Sequence, residues 1–442
     1  MPDAFRPSVW RPFLLALVTA VLALAGPIAR ADLALQITQG VSAPIPIAIV
    51  PFAAGPGPQP VDAAAVIEND LVRSGHFQAL AHGSFLQTPT TGAAVDFASW
   101  RLVKVDYLVI GRQVGASGGG AALEFELYSA LTGQRLLGFS LPVQGGWRLA
   151  AHRAADLIYQ NIVGVRGAFA TRIAYVSVEG QVPSRRYRLV VADADGENSR
   201  VVAESREPIM SPAWTPDGSA LAYVSFETRL PAIYLQTLAT GERRRLVARE
   251  GINGAPAFSP DGQRLAFTGS TRDGNVDVYL LDLASGQVLR VTDDPAIDTE
   301  PVFAPDGRTL YFTSDRSGRP QVYRLLLAAG QKPARVTFEG SYNARPRLTP
   351  DGTQLAVVTQ DAGTYHIALV DAASGRGRVL TRGQLDLGPS FAPNGQSIIY
   401  ATREKGRGVL ATVAVDGGVA SRFSAPEGDI REPAWSPFPP GP

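Results

Sequence analysis

Pro212-Ala-Trp-Thr-Pro-Asp-Gly218 is the first of five related copies of one phrase in this chain of 442 residues. The other four are Pro256-Ala-Phe-Ser-Pro-Asp-Gly262, Pro301-Val-Phe-Ala-Pro-Asp-Gly307, Pro346-Arg-Leu-Thr-Pro-Asp-Gly352 and Pro389-Ser-Phe-Ala-Pro-Asn-Gly395. A sixth, degraded copy is Pro433-Ala-Trp-Ser-Pro-Phe-Pro439, and the leading prolines are 44, 45, 45, 43 and 44 residues apart. A period in the low forties that is filled with short strands is typical of a β-propeller with four-stranded blades.

The rest of each repeat predicts three further strands. In the first repeat the Pro-Asp-Gly corner reverses the chain, because proline presets φ and glycine accepts a positive φ. Apolar segments follow at Leu221–Val224 and Ile233–Leu235, and a turn at Gly241 leads into the last strand. The same order of apolar segments and glycine turns recurs in the other repeats.

The two ends of the repeat region predict how the ring closes. Arg172-Ile-Ala-Tyr-Val-Ser177 has the pattern of a second strand but no first strand before it, and Pro433–Pro437 is a first strand with nothing after it. Together they make one blade, and closing the ring in this way removes two open sheet edges. With five complete repeats, the sequence predicts a six-bladed β-propeller over residues 166–442 that is closed by the C-terminal strand.

Residues 32–165 mix helical and strand patterns, which predicts an α/β domain before the propeller. Asp62 is a candidate cap for a helix at Ala63–Arg73, and Asp96 is a candidate cap for a shorter one. A third, amphipathic helix is predicted from Trp147 to Ile162. Strands are predicted at 33–37, 45–52, 107–110 and 123–128.

Residues 1–31 are predicted to be a signal peptide. Arg6 and Arg11 precede an apolar run from Phe13 to Ala25, and Ala29-Arg30-Ala31 offers a small-residue cleavage site. The chain has no cysteine, and its 41 basic residues nearly balance its 40 acidic ones. We therefore expect an exported, periplasmic protein without disulfides, without an affinity for nucleic acid and without a transmembrane segment in its mature form.

The residues that lead into the first strand of each blade are predicted to surround one mouth of the propeller channel, because that strand lies nearest the axis. Loops on one rim of a rigid scaffold are frequent binding sites, although a single polar residue there is often only a solvated loop residue. These six segments are 208–212, 251–256, 298–301, 343–346, 387–389 and 430–433.

Residue patterns that carry catalysis or metal binding are sparse. Gly115-Ala-Ser-Gly-Gly119 fits G-x-S-x-G, but a strand follows where a nucleophile elbow needs a helix, so a hairpin loop explains Ser117 better. No two of the four histidines have metal-ligand spacing. His152 and Asp156 lie four residues apart on one predicted helix, where a surface or packing contact is the simpler explanation. We expect no catalytic residue, cofactor or metal.

The sequence resembles the TolB family of the bacterial Tol-Pal system along the whole predicted mature chain. The resemblance is carried by Ile37-Thr-Gln-Gly40, Arg172-Ile-Ala-Tyr-Val-Ser177, Gly254-Ala-Pro-Ala-Phe-Ser-Pro-Asp-Gly262, Gly318-Arg-Pro-Gln-Val-Tyr323 and Pro433-Ala-Trp-Ser-Pro437. It implies a monomeric adaptor that links the inner-membrane Tol complex, through TolA, to the outer-membrane lipoprotein Pal. It also implies a role in envelope integrity and in outer-membrane constriction at division, and a propeller mouth that some bacteriocins exploit.

The resemblance also implies two sets of binding residues. The Pal-facing rim would consist of Asn253, Ala255, Thr299, Glu300, Asn343 and Arg345. The TolA-binding element would be the strand from Asp32 to Gly40, with Asp32, Leu33, Leu35 and Ile37. Its alternation suits addition to the sheet edge of a partner, although it could also be a fixed strand of its own domain. Exchange between a docked and a released state would reconcile the two roles.

Two alternative functions stay open from the sequence. Propellers of prolyl oligopeptidase-type hydrolases carry similar repeats, but those enzymes need an appended α/β-hydrolase domain, and here the chain is expected to stop at the closure of the ring. A propeller that binds carbohydrate or peptidoglycan is the third possibility. The sequence favours an adaptor without catalytic activity over both.

Overall fold

The structure is a computed structural model that describes residues 34–39, 44–55, 61–115, 120–270, 274–417, 420–424 and 428–439. The predicted signal peptide at 1–31, Asp32, Leu33 and Ser117 lie outside the described residues. No helix in the described ranges combines the length and apolar character needed to cross a membrane. Within the range 32–442, the described residues form one compact unit.

The N-terminal part is an α/β domain built on one mixed sheet. The first strand of the chain, β1 Ala34–Gln39, lies outside this sheet. The elements of the domain are β2 Ile45–Ile49, α1 Ala63–Arg73, β3 Phe77–Ala79, α2 Phe97–Leu102, β4 Tyr107–Gly115, β5 Ala121–Ser129, β6 Arg135–Pro142 and α3 Trp147–Val163. The sheet has the order β3-β2-β4-β5-β6, in which β2 runs parallel to both of its neighbours. Helices α1 and α3 cover one face, and Trp100 of α2 is buried with the apolar residues of the other.

The predicted boundaries of α1 and the predicted cap of α2 are confirmed, and α3 ends at Val163, one residue later than predicted. Asp62 caps α1 by accepting a hydrogen bond from the Ala65 amide (3.1 Å), and Asp96 caps α2 through the Ala98 amide (3.1 Å). Gly164, with φ at +85°, ends α3 in the left-handed conformation that favours glycine. Strands β3 and β6 were not predicted, since β3 has three residues and β6 mixes exposed and half-buried positions.

The remainder of the chain forms a six-bladed β-propeller, as predicted. Blade 1 contains β7 Arg172–Glu179, β8 Arg186–Asp193 and β9 Arg200–Ser205. Blade 2 contains β10 Ile209–Trp214, β11 Ala220–Thr228, β12 Leu230–Thr237 and β13 Arg243–Val247. Blade 3 contains β14 Asn253–Phe258, β15 Arg264–Ser270, β16 Val276–Asp282 and β17 Val288–Arg290.

The other three blades follow the same meander. Blade 4 contains β18 Asp298–Phe303, β19 Thr309–Ser314, β20 Gln321–Leu326 and β21 Ala334–Arg335. Blade 5 contains β22 Asn343–Leu348, β23 Gln354–Asp361, β24 Thr364–Asp371 and β25 Gly377–Val379. Blade 6 contains β26 Leu387–Phe391, β27 Ser397–Glu404, β28 Arg407–Ala414 and β29 Ala420–Ser424. The last strand is β30 Asp429–Trp435.

Strand β30 closes the ring by pairing with β7 as the inner strand of blade 1. Two bonds join Arg172 and Ser436: the Ser436 amide donates to the Arg172 carbonyl (2.8 Å), and the Arg172 amide donates to Ser436 Oγ (3.0 Å). Trp214 of the next blade donates from Nε1 to the Ala434 carbonyl (2.9 Å). The closure predicted from the two incomplete repeats is therefore confirmed.

The Pro-Asp-Gly corners of the blades surround one end of the propeller channel, which we call the corner mouth. Within a corner the aspartate holds the turn, as when Asp261 accepts a bond from the Gln263 amide (3.0 Å). Between corners, each glycine approaches the proline of the preceding blade, and a Cβ on Gly352 would lie only 3.0 Å from Pro305 Cδ. The repeated residues thus serve the ring rather than a ligand.

The α/β domain docks at the corner mouth. Arg73 donates to the Ala194 carbonyl (2.5 Å), and Arg148 forms an ion pair with Asp195 in the turn between β8 and β9. Asn394, at the corner of blade 6, donates to the Arg166 carbonyl (3.0 Å). The predicted domain boundary between residues 165 and 166 lies in the segment that connects α3 to β7, and Arg166 of that segment makes one of these contacts.

Strand β1 belongs to the propeller rather than to the sheet of the α/β domain. It pairs antiparallel with β29 and forms a fifth strand on the outer edge of blade 6, with Leu35 opposite Phe423 and Ile37 opposite Ser421. The alternative that this segment is a strand of its own domain is therefore wrong. The reason is that β29 has an unpaired outer edge that an extended segment can complete.

Candidate functional site

The six turns that lead into the inner strands meet at one mouth of the channel, which we call the rim mouth. In each turn the residue before the leading proline has a positive φ, between 44° and 62°. These six residues are Ser211, Ala255, Glu300, Arg345, Gly388 and Glu432, and all of them line one cavity of ≈ 460 Å³. The predicted ring of six turns around a single hole is confirmed.

The positive φ follows from a break in the strand pairing. In every inner strand the register shifts across this residue and its proline, for example between Thr299 and Val302 in β18. A bulge of this kind re-aims the side chain, and a left-handed conformation costs a residue other than glycine about 1–3 kcal/mol. Glu300, Arg345 and Glu432 all have this conformation at the rim mouth. Strained residues of this kind often have a functional role.

Charged side chains form a chain of contacts across the rim mouth. Arg345 Nε lies 2.6 Å from Glu300 Oε1, and its Nη1 lies 3.7 Å from Glu432 Oε1. Burial alone would lower the pKa of Arg345, but the carboxylates of Glu432 and Glu300 raise it above its ordinary value. Arg345 is thus held as a cation between two carboxylates on different blades.

Glu300 is the centre of this arrangement. Its Oε2 accepts bonds from the Arg345 amide (3.0 Å) and from Thr313 Oγ1 (3.1 Å), and its own amide donates to Thr268 Oγ1 (3.1 Å). Thr299 lies beside it, with its hydroxyl 3.2 Å from that of Thr268. The structure therefore brings Thr299, Glu300 and Arg345 together, as the sequence analysis predicted for one rim.

Asn253 and Asn343 lie beneath the rim mouth rather than on it. Both side chains are buried. Asn253 Nδ2 donates to the Arg249 carbonyl (2.7 Å), and Asn343 Nδ2 donates to the Glu339 carbonyl (2.8 Å). Both side chains hold the rim turns from inside, so they shape the site without presenting their amides to a partner.

An apolar arc on the rim was not predicted. The residue four places before the leading proline is Ile252 in blade 3 and Ile297 in blade 4, with 44% and 50% of their surfaces exposed. Tyr342 and Leu385 occupy the same position in blades 5 and 6 and are half-buried. The sequence contains a pattern that could have predicted this arc. The same repeat position is apolar in four consecutive blades, although it lies on a loop where a solvated residue is expected to be polar.

A second cluster of ionisable groups lies where the two domains meet. His152 is buried, and its Nδ1 lies 2.5 Å from Asp70 Oδ2, while its Nε2 faces Asp195 at 3.7 Å and Asp193 at 3.9 Å. Burial would lower the pKa of His152, but Asp70, Asp195 and Asp193 outweigh it and raise the pKa.

Asp70, His152 and Asp195 have ligand atoms within 4.8 Å of one another, which is a distance that a metal ion could bridge. However, Arg73 donates to Asp70 (2.9 Å), and Arg148 pairs with Asp195. These arginines already supply the positive charge that a metal would bring, so we interpret the cluster as an ion-pair network between the domains. Asp156, the predicted neighbour of His152, instead accepts a bond from the Phe169 amide (2.7 Å).

Ser117 lies outside the described residues, but its flanking strands bear on its interpretation. Strands β4 and β5 pair antiparallel up to Gly115 opposite Ala121. This pairing is that of a hairpin, which is the explanation that the sequence favoured.

The fold and its channel define a class: six-bladed β-propeller proteins that carry an N-terminal α/β domain. The family profile described as the TolB beta propeller domain matches residues 159–439, and the TolB amino-terminal domain matches residues 33–136. The chain belongs to the TolB family.

Relatives support this assignment over nearly the full length. The Tol-Pal system protein TolB of Thioalkalivibrio sulfidiphilus is 55% identical over 414 residues, which are 93% of this chain and 95% of the relative. That of Methylococcus capsulatus is 55% identical over 408 residues, 92% of this chain and 95% of the relative. The crystal structure of TolB from Acinetobacter baumannii superposes with a TM-score of 0.85 at 41% identity and covers 92% of this chain and 100% of that one.

Proposed function

We propose that this protein is a periplasmic adaptor of the Tol-Pal system, without catalytic activity, that links TolA to the lipoprotein Pal. In this role it supports envelope integrity and the constriction of the outer membrane at division. The observation that carries the proposal is the rim mouth, where six equivalent turns present different side chains around one hole. The α/β domain makes its contacts at the opposite mouth, so a partner protein can approach the rim mouth along the propeller axis.

The chemistry of the rim mouth suits a protein partner. Ile252 and Ile297 provide an exposed apolar arc, and Glu300 and Arg345 provide a charged centre next to it. An apolar contact area combined with a few oriented charges is typical of a specific protein interface. The same mouth could be used by bacteriocins that compete with Pal.

We assign TolA binding to strand β1. It pairs with the propeller at the outer edge of β29, and the same backbone groups can instead pair with a sheet edge of TolA. Binding of Pal at the rim would bias the exchange between the docked and the released strand. Such coupling between two sites is typically worth about 1–3 kcal/mol.

The rim assignment is tested with Glu300→Arg. We expect binding of purified Pal, measured by calorimetry, to weaken by about 100-fold or more, because the variant places a third guanidinium beside Arg345 and Arg347. Glu242→Arg is the matched control, since it makes the same change of charge at an exposed turn of blade 2. Unchanged affinity in a Glu300→Arg variant that unfolds like the control would reject the rim assignment.

The TolA assignment is tested by deleting residues 32–39. Loss of TolA binding is expected, while Pal still binds with an affinity changed at most by the coupling of about 1–3 kcal/mol, because the deletion leaves the six rim turns in place. Retained TolA affinity would argue against β1 as the binding element. Hydrolysis of a proline-containing chromogenic peptide that is lost in Ser117→Ala would instead support the peptidase alternative.

A further inference from the structure

One long cationic side chain lines the channel at a position where the other blades have small residues. The residue after the leading proline is alanine in three blades, valine in one and serine in one, but it is Arg347 in blade 5. All six line the same cavity: Ala213, Ala257, Val302, Arg347, Ser390 and Ala434. The small neighbours leave room beside Arg347, which a ring of six large residues would fill.

The carboxylates in this cavity are already engaged by another cation. Glu300 and Glu432 both face Arg345, and Glu432 Oε2 also accepts a bond from the Ser211 amide (3.3 Å). Arg347 Nη1 donates to the carbonyl of its own neighbour Pro346 (2.8 Å). Within the described ranges, no carboxylate oxygen comes within 4.0 Å of the guanidinium nitrogens of Arg347.

The surroundings of Arg347 make an unpaired cation costly. Trp214, Phe258, Phe303 and Trp435 line the same cavity, and apolar walls solvate a charge poorly. Consistent with this, burial lowers the pKa of Arg347, and the more distant Glu300 does not restore it. A guanidinium presents five N–H donors in a planar fork that matches a carboxylate, so a carboxylate ligand would satisfy both its charge and its hydrogen bonds.

We propose that Arg347 forms a carboxylate-binding subsite inside the channel, which receives an acidic group of a polypeptide that enters through the rim mouth. The acidic group is either an aspartate or glutamate side chain or a free C-terminal carboxylate. That the carboxylate belongs to a polypeptide rests on the proposed function of the rim mouth as a protein-binding site. The subsite itself rests only on Arg347 and its surroundings.

The probe for the subsite is 4-bromobenzoate, and 4-bromobenzamide is its neutral counterpart of nearly the same shape. Crystals of the protein without its signal peptide are soaked in each compound, and the bromine is located by anomalous scattering. We expect a 4-bromobenzoate carboxylate against the Arg347 guanidinium. In solution, Arg347→Met should weaken 4-bromobenzoate binding by about 10- to 100-fold, the value of hydrogen bonds to a charged group, and leave 4-bromobenzamide binding unchanged.

Two further variants test whether 4-bromobenzoate binding depends on the guanidinium of Arg347. Arg347→Lys keeps the charge but not the fork, so its affinity for 4-bromobenzoate should lie between those of the parent protein and Arg347→Met. Arg244→Met removes an exposed arginine from the outer strand of blade 2 and should change nothing. A bromine peak away from Arg347, or equal 4-bromobenzoate affinity in Arg347→Met and the parent protein, would overturn the proposal.

Competition identifies the source of the carboxylate. Displacement of 4-bromobenzoate by the α-amide of N-acetylaspartate would support an acidic side chain, and displacement by N-acetylglycine would support a chain end. Failure of both to displace it would contradict a polypeptide ligand. If Glu300→Arg left Pal binding unchanged while 4-bromobenzoate still bound at Arg347, the proposed function would fail and the subsite would stand.

Discussion

The two mouths of the propeller channel are built on opposite plans. At the corner mouth the sequence repeats, and Pro305 and Gly352 meet in the same way as their counterparts in other blades. At the rim mouth the backbone repeats instead: Ser211, Glu300 and Arg345 have nearly equal φ values of 52°, 55° and 55° but carry different side chains. The constant residues therefore make contacts within the ring, and the variable residues on a constant backbone form the surface to which we assign partner binding.

Departures from the repeat at the corner mouth occur where the α/β domain docks. Blade 6 has Asn394 where four other corners have aspartate, and its amide donates to the Arg166 carbonyl. The degraded copy has Phe438, and the Arg166 guanidinium lies 4.0 Å from the centre of its ring. An aspartate could not donate the first bond, so the substitution follows from the contact.

The largest expected effect comes from opening the propeller ring by removing its closing strand, β30. Removal of residues 429–442 deletes β30 and leaves blade 1 without its inner strand, so the inner edge of β7 is left unpaired. We expect no cooperative thermal unfolding by circular dichroism, because Trp214 and Ile173 lose the strand against which they pack. A sharp transition within a few degrees of that of the complete chain would show that the closure is not essential.

A smaller effect is expected from Gly352→Ala, which tests whether the repeated glycines serve contacts between blades. The variant pays for a positive φ and brings a Cβ to 3.0 Å from Pro305 Cδ, so we expect a loss of about 2 kcal/mol in urea unfolding. Gly363→Ala is the matched control, because its φ is +84° but a Cβ there meets nothing within 4 Å. Equal losses in the two variants would contradict a role for the contact with Pro305.

Exchanging the corner residues tests the exception in blade 6. Asn394→Asp should cost about 1–2 kcal/mol, because it removes the bond to Arg166 and sets a carboxylate against a carbonyl oxygen. The reverse change Asp351→Asn should cost less than about 1 kcal/mol, since an amide oxygen can still accept from the Thr353 amide (3.0 Å). The free energy of unfolding of both variants is measured in urea. A larger loss of stability in Asp351→Asn than in Asn394→Asp would contradict the explanation that Asn394 is required for its bond to Arg166.

The smallest expected effect concerns the pH dependence of the docking at the corner mouth. His152 has a raised pKa in the folded protein, so its stabilising charge is fully present below its unfolded pKa and is lost as the pH rises through the folded value. His152→Gln should therefore reduce the fall in the free energy of unfolding as the pH rises above the ordinary histidine pKa of about 6.5.

The measurement needs a control for Asp156, which titrates in an overlapping pH range. Burial raises the pKa of Asp156 to about 7, so its ionisation also lowers stability as the pH rises from its unfolded value of 3.8 through 7. Because the charge of His152 lowers the pKa of Asp156, His152→Gln also changes this contribution. The variant His152→Gln/Asp156→Asn is therefore compared with Asp156→Asn alone, so that the difference between them reports on His152. Identical slopes would mean that Asp70, Arg73, Arg148, Asp193 and Asp195 balance their charges without the imidazolium.

The sequence predicted the features that depend on local chemistry or on repetition. The corners, the blade count, the ring closure and the caps at Asp62 and Asp96 all follow from residues that act on their immediate neighbours. The docking of β1 on blade 6 could not be predicted, because an alternating strand fits any free edge equally well. The burial of Asn253 and the meeting of His152 with Asp195 depend on contacts between segments far apart in the chain, which no local pattern records.

Strands β1 and β29 pair through main-chain hydrogen bonds, and this has an energetic consequence for the proposed exchange. If β1 leaves blade 6 for the sheet of another protein, as proposed, one ladder of amide-to-carbonyl bonds replaces a similar one. The two ladders nearly cancel, so the free-energy difference between them is small. An exchange with so small a free-energy difference can be shifted in either direction by the binding of a partner at the rim mouth.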